Sequence, residues 1–205
     1  MTDSKSYRVR VFVDFWNFQL SMKRAEAGFI VDWSVVGAEF AKLAASEVDA
    51  GAPHSFEALH VYGSFDPNKP SDAKLRNWFV NWLDKQRGVH VVALPRQKKR
   101  GYPTCPKCHV EATHCQSCGS DLRGTEEKGI DTRMVADMIS LAWADAYDVA
   151  VLVSSDRDFV PVADFLQTKG IKVVHASFPP LGSELTQKCW ASIKVPDHMD
   201  TFRRS

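Results

Sequence analysis

Short apolar runs rich in valine alternate along this chain with stretches of helical period, and few folds satisfy that rhythm. Arg8 to Phe15 (RVRVFVDF) alternates and then turns apolar, Phe56 to Phe65 (FEALHVYGSF) follows the breakers Gly51 and Pro53, and Val89 to Leu94 (VHVVAL) makes a third strand. Asp148 to Ser154 and Ile171 to Ala176 are the fourth and fifth. The intervening stretches read as helices. Ile30 to Ser46 carries the stripe Val36, Phe40, Leu43 and Ala44, with Asp32 or Ser34 placed to cap it. Leu75, Trp78, Phe79, Trp82 and Leu83 form the clearest amphipathic helix, and its tryptophans read as core. Val135, Met138, Ile139, Ala142 and Trp143 mark a helix starting near Asp131 or Thr132; Phe159 to Thr168 is another, ended by Gly170. A last short helix is expected from Ser183 to about Trp190, with SIKVPDHM unassigned.

Strands that alternate with helices imply an α/β fold with a mostly parallel sheet of five or six strands, covered on both faces through right-handed crossovers. In such sheets, sites form beyond the carboxyl ends of the strands, where the winding reverses. The first strand ends in Asp14, the fourth runs into Asp156 and Asp158 (VLVSSDRDF), and Asp131 opens the helix leading into that fourth strand. Each acid alone could be a cap or a turn residue. Together, four carboxylates on one rim repel one another, and a divalent cation with oxygen ligands relieves them. No His sits in these stretches, so the hard ions Mg²⁺ or Mn²⁺ fit, and a pair of them about 4 Å apart suits phosphodiester hydrolysis. Asp156, nearer the strand end, is the stronger candidate for a direct ligand, while Asp158 could cap the helix that follows. Asp137, off the helical face of Asp131, is read as supporting or structural.

Length and charge bound the alternatives. The 205 residues, 44% of them hydrophobic, suffice for one sizeable core, and residues 7–205 read as one domain. The net charge of +1 means that nucleic-acid binding must come from a local patch. There is neither a signal peptide nor an apolar run long enough to cross a membrane, so a soluble cytoplasmic protein is expected. The pattern G-x-G-x-x-G and the Walker lysine are missing, as is a D-x-D on the first strand, which argues against a nucleotide-binding or phosphotransfer domain. A homo-oligomer stays open. No internal repeat stands out.

One segment breaks the apolar rhythm. Over 101–124, Gly, Pro, Cys and His displace it, and Cys105, Cys108, Cys115 and Cys118 form C-x₂-C-x₆-C-x₂-C. Two such pairs can offer four thiolates to one structural Zn²⁺ in a compact, zinc-ribbon-like finger. His109 and His114 read as solvated loop residues, and the isolated Cys189 as a small buried hydrophobe. Arg96, Lys98, Lys99 and Arg100 precede the finger and could hold the phosphates of a bound strand, with Lys107 and Arg123 extending the track.

Three stretches together, DFWNF at 14–18, EKGIDTRMVADM at 127–138 and VLVSSDRDF at 151–159, resemble the motifs of NYN domains, the PIN-like nucleases that include LabA and DUF88 proteins. The resemblance spans the chain outside the cysteine insertion. It implies a PIN-like three-layer α/β/α sandwich and a Mg²⁺- or Mn²⁺-dependent endoribonuclease with RNA as its partner. Asp14 would then be a metal ligand and Asn17 would position metal-bound water or phosphate, with Asp131, Asp156 and Asp158 completing the acidic set. Lys128 and Ser154 or Ser155 would sit beside the substrate phosphate. Trp16 departs from the smaller residue expected in the first motif, leaving its role between base stacking and packing. The alternative is an RNA-binding or adaptor protein of the same fold that does not hydrolyse.

Overall fold

The computed structural model describes residues 6–204; the opening MTDSK and the expected domain limit at 205 lie outside them. Strands β1 (Tyr7–Asp14), β2 (His54–Phe65), β3 (Val89–Pro95), β6 (Val149–Val153), β7 (Lys172–Ser177) and β8 (Ala191–Lys194) form one sheet in the order β3-β2-β1-β6-β7-β8, and every neighbouring pair is parallel. The remaining strands, β4 (Gln97–Lys98) and β5 (Thr125–Glu126), pair antiparallel in a separate two-stranded ribbon. The six strands thus run outward from β1 in one direction and from β6 in the other. This is the doubly wound arrangement, and its switch point lies between β1 and β6, where Val13 pairs with Val153.

Helices α1 (Phe15–Ala25), α2 (Val36–Val48) and α3 (Pro70–Asn81) serve one face of the sheet, and α4 (Ile130–Trp143), α5 (Val160–Thr168) and α6 (Ser183–Lys188) the other. The period of two in the central strands divides the core accordingly. Val9, Val11 and Val13 of β1 and Val149, Val151 and Val153 of β6 pack with Phe18, Val36, Phe40 and Phe79. On the opposite face, Phe12, Ala150 and Leu152 meet Ile130, Met134, Met138, Val162 and Leu166. Strands buried on both sides explain why these runs read as wholly apolar.

Several expectations need correction. Helix α1 was not anticipated: β1 ends at Asp14 and the chain turns into the helix at once, because the Asp14 side chain accepts from the Asn17 N–H as N-cap. Neither Asp32 nor Ser34 caps α2, which starts at Val36; Ser34 instead donates from both its N–H and its hydroxyl to Asp32, closing a local turn. Trp82 is not core, being 41% exposed, whereas the half-buried Trp78 does pack against the core. The segment after α6 adds the edge strand β8 and a 3₁₀ segment ending in the buried Phe202. No helix among the described residues is long and apolar enough to cross a membrane.

Candidate active site

The switch point between β1 and β6 is where the acids meet. Asp14 is the last residue of β1 and is buried. Its Oδ1 accepts from the Asn17 N–H at 3.1 Å and its Oδ2 from the Ser154 hydroxyl at 3.3 Å. Asn17 ties the first turn of α1 to the end of β6: its Oδ1 accepts from the Ser155 N–H at 3.0 Å, and its amide nitrogen makes no hydrogen bond among the described residues. Ser154 Oγ in turn accepts from the Asp156 N–H at 3.2 Å. Asp14, Asn17, Ser154, Ser155 and Asp156 are therefore one connected unit.

Of the two aspartates beyond β6, the capping role expected for Asp158 falls to Asp156. Asp156, not Asp158, is the cap: its Oδ1 accepts from the Asp158 N–H at 2.9 Å and starts the 3₁₀ turn leading into α5. Asp158 stays exposed. Asp131 is the second residue of α4, launched by Gly129 in the left-handed conformation (φ 83°) that glycine adopts without strain.

Burial raises the Asp14 carboxyl to about 6, and the nearby charges of Glu127 and Asp131 push the same way. The Asp131 carboxyl is also raised, first by burial and then by Asp156, Glu127 and Asp158. These couplings relate Asp14 to Glu127 and Asp131, and Asp131 in turn to Asp156, Glu127 and Asp158. Glu127 is the member that sequence reasoning missed. It stands between β5 and α4, takes a hydrogen bond from the Ser64 hydroxyl at the end of β2, and faces both Asp14 and Asp131. Its signal was only its place at the head of the EKGID stretch, outside any periodic element.

His175, on β7, was also missed. Fully buried, it donates from Nε2 to the Ser154 carbonyl at 2.8 Å, while its Nδ1 lies 2.8 Å from the Thr186 hydroxyl. Burial lowers its pKa, which keeps the ring neutral. Gly182 permits this approach: a Cβ there would stand 3.0 Å from His175 and 3.1 Å from Ser155. Ser155 Oγ is left buried without a partner among the described residues.

Other expected residues lie around this unit. Lys128 pairs with Glu126 at 2.9 Å. Asp137 accepts from Tyr62 Oη and Arg133 Nε, away from the rim. Arg96 follows β3, Lys98 lies in β4, and Lys99 and Arg100 continue into the finger, all but the half-buried Arg96 exposed. Cys189 is half-buried against the α5 side of the core, and burial pushes its thiol up to about 12.

The finger hangs from the β4/β5 ribbon and is built on a ten-residue repeat, contrary to the reading that none exists. The Cys105 N–H donates to the Val110 carbonyl and the His109 N–H back to Cys105; ten residues on, Cys115 and Ser120, then Gly119 and Cys115, do the same. The bridges Thr104 to Glu111 and His114 to Asp121 repeat the pattern. His109 (φ 58°) and Gly119 (φ 72°) occupy equivalent left-handed positions, so His109 serves as a turn residue. Backbone N–H groups of Cys108 and Lys107 stabilise the Cys105 thiolate, and the Ser120 hydroxyl and N–H that of Cys118.

Among the described residues, no three His, Cys, Asp or Glu side chains stand close enough to enclose a metal. Neither the rim acids nor the four finger cysteines therefore form a preassembled metal cage. The donor set at the rim is all oxygen, and burial disfavours a lone charge on Asp14, which a proton or a cation relieves. For the finger, N–H groups directed at sulfur fit a thiolate ligand in each knuckle.

A parallel six-stranded sheet, doubly wound and covered by helices on both faces, defines the class of α/β fold. The chain belongs to the NYN domain family, whose model matches residues 8–195. NYN domains have a nuclease-like fold and are generally nucleases. A crystal structure of a protein of unknown function from Vibrio parahaemolyticus RIMD 2210633 has a TM-score of 0.57 and 16% identity, the match covering 100% of this chain and 99% of that one. That likeness speaks for the fold alone. A structure from work on the mechanism and regulation of Sir2 enzymes reaches a TM-score of only 0.38 at 13% identity, covering 97% and 91%, and carries no weight. No curated protein matches the chain.

Proposed function

We propose that this protein is a metal-dependent endoribonuclease that hydrolyses RNA phosphodiester bonds at the β1/β6 switch point. The observation that carries this reading is the convergence of Asp14, Glu127, Asp131, Asp156 and Asp158 on one rim, with two of them held protonation-prone by burial and by one another. Asp14, Asp131, Asp156 and Asp158 would hold Mg²⁺ or Mn²⁺, with Glu127 beside them. When bound, the ion supplies an activated water and a Lewis acid for the phosphate oxygens.

The chain's own residues do the rest. Ser154 and the Asn17 N–H fix both oxygens of Asp14, so its carboxylate keeps one orientation. The free amide nitrogen of Asn17 is a donor for a phosphate oxygen, and the Ser155 hydroxyl lies buried beside it. His175 and Gly182 hold the Ser154–Asp156 turn against α6 and so position those groups. Lys128 sits one residue from Gly129 at the entry to α4, beside the rim. Arg96, Lys98, Lys99 and Arg100 lead phosphates from the rim onto the finger, where Lys107 and Arg123 continue the track. A Zn²⁺ held by Cys105, Cys108, Cys115 and Cys118 would lock the two knuckles into one body and take no part in hydrolysis.

The test is incubation of the purified protein with a mixed RNA pool and Mn²⁺, beside Asp156→Ala. Cleavage by the wild type and none by the variant is expected. Equal cleavage by both would remove Asp156 and its rim from the assignment; RNA binding without turnover by either would favour the non-hydrolysing reading.

A further inference from the structure

A groove of about 690 Å³ opens between α1 and α3. Trp16, Trp33, Trp78 and Trp82 line it. Trp33 is buried and its edge meets Trp78 with centroids 5.8 Å apart, and Trp78 stacks on Trp82 at 5.6 Å with 19° between the planes. Stacking covers one face of Trp82, yet 41% of the residue stays exposed. Three indoles in sequence, anchored at one end and open at the other, make a rigid aromatic surface. The helical spacing of Trp78 and Trp82 explains why it read as a core stripe: the face is apolar, but no element among the described residues covers its end.

Three observations decide what such a surface would hold. The groove begins at the rim: Trp16 lies between Asp14 and Asn17 in sequence, and its indole N–H donates to the Ser64 carbonyl at 2.8 Å, on the same residue whose hydroxyl binds Glu127. Its flanks carry Lys23 and Arg204, both exposed and without an ion-pair partner among the described residues. The groove also carries the carboxylates of Asp32, which accepts from Ser34, and Asp72, which accepts from the Asp66 N–H and has Lys69 3.9 Å away. Finally, Gln19, on the helical face of Trp16, presents a buried Oε1 with no hydrogen-bond partner among the described residues. A ligand with flat aromatic faces, N–H donors at their edges and negative charge along its length matches all three.

We propose that this groove is a base-stacking platform that holds unpaired nucleotides of an RNA strand whose scissile phosphate lies at the acidic rim. The proposal rests on the ribonuclease reading for its direction along the strand. Trp82 and Trp78 supply the stacking face, Gln19 accepts from a base N–H, and Lys23 and Arg204 face the phosphates. Indole faces accept any base, so the platform selects single-stranded RNA over duplex rather than one sequence.

The test compares a mixed-sequence RNA of about eight nucleotides with an abasic oligomer of equal length and charge, by anisotropy in EDTA, on the full chain. Trp82→Ala is expected to weaken the RNA by about five- to a hundredfold and leave the abasic oligomer unchanged. Trp82→Phe, which keeps an aromatic face, restores most of the loss. Trp143→Ala, an exposed tryptophan on α4, has no effect. Equal affinity of wild type and Trp82→Ala for RNA overturns the platform, as does equal weakening for both oligomers or displacement of RNA by a proline-rich peptide that binds more tightly. A parallel Mn²⁺ cleavage assay separates the two readings. Turnover with no base dependence of binding leaves the ribonuclease and removes the platform; base dependence without turnover under Mn²⁺ or Mg²⁺ removes the ribonuclease and keeps an RNA-binding groove.

Discussion

Asp14 and the Ser154 hydroxyl bond to one another across 140 positions of sequence, whereas each pair of finger cysteines sits within a single tight turn. The rim exists because β1 and β6 pair in parallel, so its geometry depends on the whole sheet. The finger's backbone hydrogen bonds, among the described residues, stay within the finger and its ribbon. Tertiary structure makes the first site and local structure the second. The two should therefore respond to perturbation in different ways.

The largest difference is in catalysis. Asp14→Asn is expected to lower the Mn²⁺-dependent rate at saturating RNA by about a thousandfold or more, the scale of losing a principal catalytic group. Cys115→Ser should leave that rate unchanged and raise only the RNA concentration needed. If both variants lose the saturated rate equally, the finger is part of the active site and the comparison fails.

That contrast also governs what the sequence disclosed. The cysteine spacing announced itself because its chemistry is local, and the strand-end acids did so because apolar runs fix where strands stop. Helix α1 stayed hidden because its cap is Asp14 itself, so the site residue and the helix signal coincide. Glu127 lies in neither helix nor strand, and only the end of β2 brings Ser64 to it. Trp78 and Trp82 have a core-like spacing, and nothing in one sequence says that Trp82 is left 41% exposed. The finger's repeat was legible at ten residues, but its two halves share little beyond the cysteines, and the equivalence shows in the hydrogen bonds.

Stability separates the regions next. Asp14 binds its proton more tightly in the folded chain, at about 6 against an ordinary 3.8, so folding stability falls as pH rises between those values and stays low above them. Asp14→Asn keeps the cap acceptor and removes that cost, up to about 3 kcal/mol. In metal-free protein the variant should therefore melt higher than wild type at pH 7 and match it below about pH 4, as read by thermal denaturation. Added Mn²⁺ should raise the melting temperature of the wild type far more than that of the variant. A variant less stable than wild type at pH 7 would contradict the burial of a charged Asp14.

A smaller effect belongs to the finger. If the finger holds Zn²⁺ as proposed, stripping it with a chelator, then assaying with Mn²⁺ restored, should leave the melting of the sheet unmoved. RNA binding should weaken by about tenfold and lose part of its salt dependence, because the Lys98 to Arg100 track no longer leads to an ordered Lys107 and Arg123. Loss of the sheet's melting transition on chelation would show that the ribbon couples finger and core.

The smallest effect is the one that probes where the two regions join. Glu127 directly follows β5, the ribbon strand that carries the finger back to the sheet, and directly precedes the turn into α4. Its charge raises both Asp14 and Asp131, second to burial in the first case and behind burial and Asp156 in the other. Glu127→Gln keeps an acceptor for the Ser64 hydroxyl and removes the charge. The Asp14 midpoint should then move down toward the ordinary carboxylate range without reaching it, because burial remains. With a lower folded midpoint, ionising Asp14 costs less, so the variant gains stability over wild type above about pH 6 and none at low pH. A carboxyl carbon NMR titration of metal-free protein reads this directly at Asp14. An unmoved midpoint would place Glu127 with the finger rather than with the rim; a shift that disappears when the finger's cysteines are replaced by serine would show that the ribbon sets how closely Glu127 faces Asp14.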